Sequence, residues 1–160
     1  MKRAVVASSL VLFLASLPLT AYSIGDNHMP GIFCFALGWF VIPSGKIAWL
    51  ANPLLIWTWF AIWGETKIDK RRATKQKPAS DLSMIDESET LLQTYILLAA
   101  LALGLTFFLV HTDSNNGAGL PRKITSKGFG YYLWLSSITI ALVGSALCYL
   151  IERNASHNDQ

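Results

Sequence analysis

Charge is what this sequence has least of. Of its 160 residues, 14% are charged and 52% hydrophobic, where soluble domains carry about 25% charged residues. The few charges are clumped, so long tracts hold none, which excludes an ordinary soluble domain and leaves a polytopic membrane protein of one helical domain. Cysteine is almost as scarce. Cys34 and Cys148 stand in no CxxC or Cys/His pattern, which excludes a disulfide framework; each reads as a small apolar filler. None of the expected membrane spans contains Asp, Glu, Lys, Arg or His, and that counts against a proton relay or pump. No Gly-rich phosphate loop, GxSxG elbow or HExxH occurs, so neither catalysis nor a cofactor is expected. The net charge of +3 comes from basic residues that abut apolar tracts, so the expected partner is lipid and not nucleic acid.

What is present is a set of apolar tracts. The first covers about 4–22, "AVVASSLVLFLASLPLTAY", behind Lys2 and Arg3. A bulky Leu19 stands where a signal-peptide cleavage site wants a small residue, so the tract is expected to be an uncleaved transmembrane helix. Two more spans are expected over 91–110 and 129–151. The stretch from Gly31 to Trp63 is nearly all apolar but holds a Pro-Ser-Gly-Lys run at 43–46. As one helix it would reach roughly 50 Å, too long for one crossing of a core about 30 Å thick and short for two. Counting Lys and Arg near span ends with the N-terminus inside puts nine on the inner side and four (Lys46, Arg122, Lys123, Lys127) on the outer. That bias sets four crossings, with both termini and the 65–90 loop in the cytoplasm, and places the two cysteines near opposite faces. Residues 31–43 are then an interfacial or re-entrant segment, Pro43 begins a turn, Lys46 sits at the outer headgroups, and 47–64 cross. The expected fold is an all-α, four-helix integral membrane bundle.

The second span carries its own break at Asn52-Pro53, where a proline removes a helix hydrogen bond and frees carbonyls that need a partner in lipid. Asn52 is the one strongly polar side chain well inside a span. The cytoplasmic loop starts basic, with Lys67, Lys70, Arg71 and Arg72 placed to meet anionic lipid, and ends acidic. The last span has small residues at Ser137, Ala141 and Ser145, one face on which helices approach closely; packing within the chain comes first and self-association second. Asp26-x-His28 and His111-x-Asp113 are residue types that ligate divalent metals, but two short matches in loops assign no metal site.

Gly38-Trp39, "AWLANP" (48–53) and "GYYLWLSS" (130–137) together resemble motifs of a family of small four-span bacterial inner-membrane proteins of unassigned function. The resemblance covers about a quarter of the chain, and the long charged loop departs from the compact versions. It implies the architecture and a bacterial inner-membrane address, and no mechanism.

The expected function is that of a non-enzymatic inner-membrane protein acting by helix contacts with membrane partners or itself. One alternative is a small oligomeric channel or carrier built on the broken second span, with Pro43, Lys46, Asn52 and Pro53 lining it. Another is an immunity-type protein against a pore-forming toxin, by analogy of architecture.

Overall fold

Pro18 decides the shape of the first element. The computed structural model describes residues 2–44, 46–72, 79–113 and 122–158, with the backbone alone at 41, 43–44, 65–72, 79–87, 112–113, 122, 152 and 155–158. Helix α1 spans Lys2–Ser16 and stops there because the residue before a proline is pushed out of helical angles. Tight turns close its end, Leu17 N–H to Leu14 O and Leu19 N–H to Ser16 O, both 3.3 Å. The helix expected over 4–22 is therefore corrected. Its last part is strand β1 (Thr20–Ile24), which turns at Gly25 into β2 (Asn27–Pro30). Gly25 has φ 57, the positive angle that a two-residue hairpin turn asks of glycine.

This hairpin corrects the all-α expectation as well. Strand β1 is central in a three-stranded antiparallel sheet, flanked by β2 and by β5 (Ser126–Lys127), while β3 (Thr112–Asp113) pairs with β4 (Arg122–Lys123). Residues 114–121 lie outside the described residues.

The rest of the described chain is mostly helical. Helix α2 (Gly31–Leu37) continues as a 3₁₀ segment, Gly38–Ser44; a second 3₁₀ turn, Ile47–Leu50, leads into α3 (Ala51–Arg72). The expected non-spanning piece before the second tract is thus two short helical segments with Ile32, Phe33, Leu37, Trp39 and Phe40 exposed. Helix α4 covers Ala79–Thr106, extended by a 3₁₀ turn at Phe107–Leu109, and α5 covers Phe129–Asn158. The expected 65–90 loop is shortened from both sides, since α3 runs to Arg72 and α4 starts at Ala79. Ala, Leu, Met, Glu, Lys and Arg in these stretches are good helix formers, and Asp81 stands in the first turn of α4, where a helix favours acids.

Among the described residues, three stretches are long and apolar enough to cross a bilayer: Ile47–Gly64, Ser88–Leu109 and Phe129–Ile151. The fifteen residues of α1 reach only about 22 Å at 1.5 Å each. Helix α1 packs on α5, α5 on α4 and α4 on α3, and α1 also touches α3. Lys2, Ile62, Thr90 and Cys148 gather at one end and Ser16, Asn52, Phe107 and Tyr131 at the other, so successive long helices alternate in direction. The core between them holds Val6, Phe13, Leu55, Trp59, Leu97 and Ile138. Large apolar side chains such as Phe60 (75% exposed), Leu98 and Leu147 cover the outside, a distribution compatible with a hydrocarbon surrounding.

Polar groups in this core are spent on one another. The Ser9 hydroxyl, fully buried, donates to Ser137 O at 2.8 Å and accepts from Trp59 Nε1 at 3.1 Å, which ties α1, α5 and α3 together. Thr94 and Ser145 pair their hydroxyls at 3.0 Å between α4 and α5.

A candidate binding chamber under the hairpin

The hairpin and α2 do not close tightly over the helix ends. Between them lies a cavity of about 360 Å³, within the range of about 300–1,000 Å³ seen for small-molecule sites. Its walls are chiefly apolar, with Phe13 from α1, Leu17 from the turn after it, Ala21 from β1, Phe35 from α2 and Phe107 beyond α4. Phe13 meets Phe35 edge-on at 5.5 Å and Trp59 at 5.3 Å, so the floor of the chamber is continuous with the core.

Close backbone approaches give the chamber its frame. Gly31 and Gly130 both face the turn after α1: a Cβ at Gly31 would lie 2.6 Å from Ser16 O, and one at Gly130 would lie 2.7 to 2.9 Å from the carbonyls of Leu19, Ser16 and Thr20. Gly31 N–H also bonds Leu19 O, and Ile32 N–H bonds Leu17 O, both at 2.8 Å. Gly38 lies against the Trp49 ring with no room for a side chain, and the Trp49 indole donates to Phe35 O at 2.8 Å.

Four polar side chains in the wall spend their donors or acceptors on protein. Ser16 Oγ donates to Phe13 O at 2.6 Å, and Tyr131 Oη to Gly104 O at 3.0 Å. Trp134 Nε1 donates to Asn52 Oδ1 at 2.8 Å. An indole N–H only donates, so the oxygen of the Asn52 amide faces Trp134 and its NH₂ group points elsewhere. Asn52 is 5% exposed.

The residues singled out from the sequence fall in different parts of the fold. Asn52 and Lys46 line the chamber, Lys46 half-buried beside the 3₁₀ turn that starts α3. Pro53 falls in the first turn of α3, where its missing N–H has no helical partner to lose; the expected mid-span break is instead a 3₁₀-to-α junction, with Ala51 N–H bonded to the carbonyls of Ala48 and Trp49. Asn52 accordingly serves Trp134 and not a freed carbonyl. Pro43 belongs to the 3₁₀ segment before it. Ser137, Ala141 and Ser145 are all buried on the side of α5 that meets α1 and α4, away from the chamber. Lys67, Lys70, Arg71 and Arg72 lie on the last turns of α3 as backbone, with side chains outside the described residues. His28 pairs with Ser23 Oγ at 2.8 Å and His111 with Leu109 O at 2.7 Å. Neither Cys34 nor Cys148 is in a disulfide.

Trp49, Trp134 and Tyr131 escaped the search for site residues, because an aromatic in an apolar tract reads first as packing or anchoring. A signal was present nonetheless: the words "AWLANP" and "GYYLWLSS" contain all four of Trp49, Asn52, Tyr131 and Trp134, and they meet in space at the Asn52–Trp134 hydrogen bond. Compared with protein-family models, with curated proteins and with solved structures, the chain matches none of them.

Proposed function

We propose that this chain is a non-enzymatic, multi-pass protein of the bacterial inner membrane that acts by binding, with the chamber under the hairpin as its ligand site and its helix faces open to membrane partners. The observation that carries this reading is the chamber itself: apolar walls, polar groups committed to structural hydrogen bonds, and no group of three His, Cys, Asp or Glu side chains among the described residues.

Four crossings with both termini in the cytoplasm put the sheet and chamber at the outer face. Two features support that placement. Tyr22, Phe107, Phe108, Tyr131 and Tyr132 form one aromatic cluster beside the sheet, as a belt at the headgroup level would. Lys127 lies over the Phe107 and Phe108 rings at 5.7 and 5.3 Å, which suits a lysine whose stem runs along apolar surface toward water. The short reach of α1 is compatible with a crossing because β1 is paired on both edges, so the backbone that completes the passage carries its own hydrogen bonds. The basic end of α3 then meets anionic lipid on the inner side. No observation favours a pore along the second span over this reading, since the Asn52 oxygen is spent on Trp134. The resemblance to small four-span inner-membrane proteins agrees with the address.

Photocrosslinking in living cells tests it. A benzoylphenylalanine at Phe35, in the chamber wall, is expected to yield an adduct with a small apolar molecule, and one at the half-exposed Trp57 a discrete protein adduct. Adducts at neither position would refute the binding reading.

A further inference from the structure

The Asn52 side chain is the group in the chamber wall whose chemistry is unfinished. Its oxygen accepts from Trp134, it is 5% exposed, and among the described residues no acceptor meets its Nδ2. The other buried N–H and O–H groups around it, on Ser16, Trp49, Tyr131 and Trp134, all donate to protein acceptors. A buried amide left without an acceptor is costly, and more so where the surroundings are apolar. Trp134 also fixes the amide, since turning it over would set two donors against each other.

We propose that the chamber binds a membrane-soluble carbonyl compound, with the carbonyl oxygen accepting from Asn52 Nδ2 and the attached hydrocarbon filling the space between Phe13, Leu17, Ala21 and Phe107. The inference rests on the binding reading above and adds the chemical class. The volume of about 360 Å³ holds about a dozen groups at about 30 Å³ each, so part of a long chain enters and the remainder leaves along the opening. A charged ligand group is not called for at Asn52, because an amide offers hydrogen bonds and no net charge. Acyl esters and quinones both carry a carbonyl on hydrocarbon, and the chamber selects the feature they share.

The test uses the full chain in mild detergent and three radiolabelled compounds: methyl palmitate, a decyl-substituted benzoquinone and hexadecane. At least one carbonyl compound is expected to saturate at one per chain and to bind on the order of tenfold more tightly than hexadecane. The tighter of the two names the source. Asn52→Leu removes the amide donors without adding an acid that would be protonated in the apolar chamber and donate in their place, so it is expected to abolish the preference for the carbonyl compound over hexadecane. Equal affinity of wild type for all three, or a preference that survives in Asn52→Leu, overturns the carbonyl inference and leaves the chamber as a binding site. Retention of none of the three by folded protein overturns the binding reading itself. The comparison within wild type decides the matter even where the variant does not fold.

Discussion

Ser9 holds three helices with one hydroxyl, donating to Ser137 O and accepting from Trp59 Nε1. Inside an apolar layer the lost partners have no water to turn to, although interhelical hydrogen bonds in membranes average only about 0.6 kcal/mol in double-mutant measurements. Two bonds through one fully buried atom place Ser9→Ala at a cost of about 1–2 kcal/mol, read as a shift in unfolding in mixed detergent, whereas Ser8→Ala, on an exposed neighbour, is expected to change stability by under about 0.5 kcal/mol. At this scale the sequence was informative about which residues matter and silent about their partners. Asn52 stood out as the lone strongly polar group in its tract, but a hydrogen bond to Trp134, 82 positions away, leaves no local pattern. Ser9 sat among other small residues in "AVVASSLVLF" with nothing to set it apart from Ser8, because the difference is which way each faces.

Proline and glycine govern the elements. Pro18 ends α1 at Ser16, and Gly31 and Gly130 let the next segments come against the turn that follows. The strand over 20–24 was legible in principle, since Pro18 is a stop signal and Tyr22 and Ile24 favour strands; continuous hydropathy concealed it, because an apolar tract looks the same whether helix or strand carries it. The helical ends around 65–72 and 79–90 were concealed by charge, which reads as loop beside a membrane span but suits helix formation well. That 31–43 would not form a long helix was legible, because Pro43 closes a run of only thirteen residues; the 3₁₀ geometry that carries Pro43 was not. The α1–α5 contact makes its own prediction. At Gly144 a Cβ would collide with the stiff Val5 side chain, so Gly144→Ala is expected to cost about 1–3 kcal/mol by overpacking. Adding Val5→Ala is expected to recover most of that loss. A double variant no more stable than Gly144→Ala alone would show that the interface is not packed this way.

At the scale of the molecule, two ends with different chemistry define the protein. One end is capped by the sheet, ringed by aromatics and hollow; the other carries the ends of α3 and α5 and the charged start of α4. Alternating helix direction was legible from the spacing of apolar tracts and the asymmetry of Lys and Arg. The chamber was not, because it is a gap left by a hairpin of which hydropathy had assigned residues 20–22 to a helix.

The central claim is that α1 completes a fourth crossing and so places the chamber on the outer face. Cysteine labelling of intact cells with a membrane-impermeant maleimide, in a Cys34→Ala, Cys148→Ala background, tests it most directly. Asp26→Cys and His111→Cys are expected to label in intact cells, while an N-terminal cysteine tag and Arg153→Cys label only after permeabilisation. Labelling of the N-terminal tag in intact cells, alongside Asp26→Cys, would mean three crossings and contradict the account.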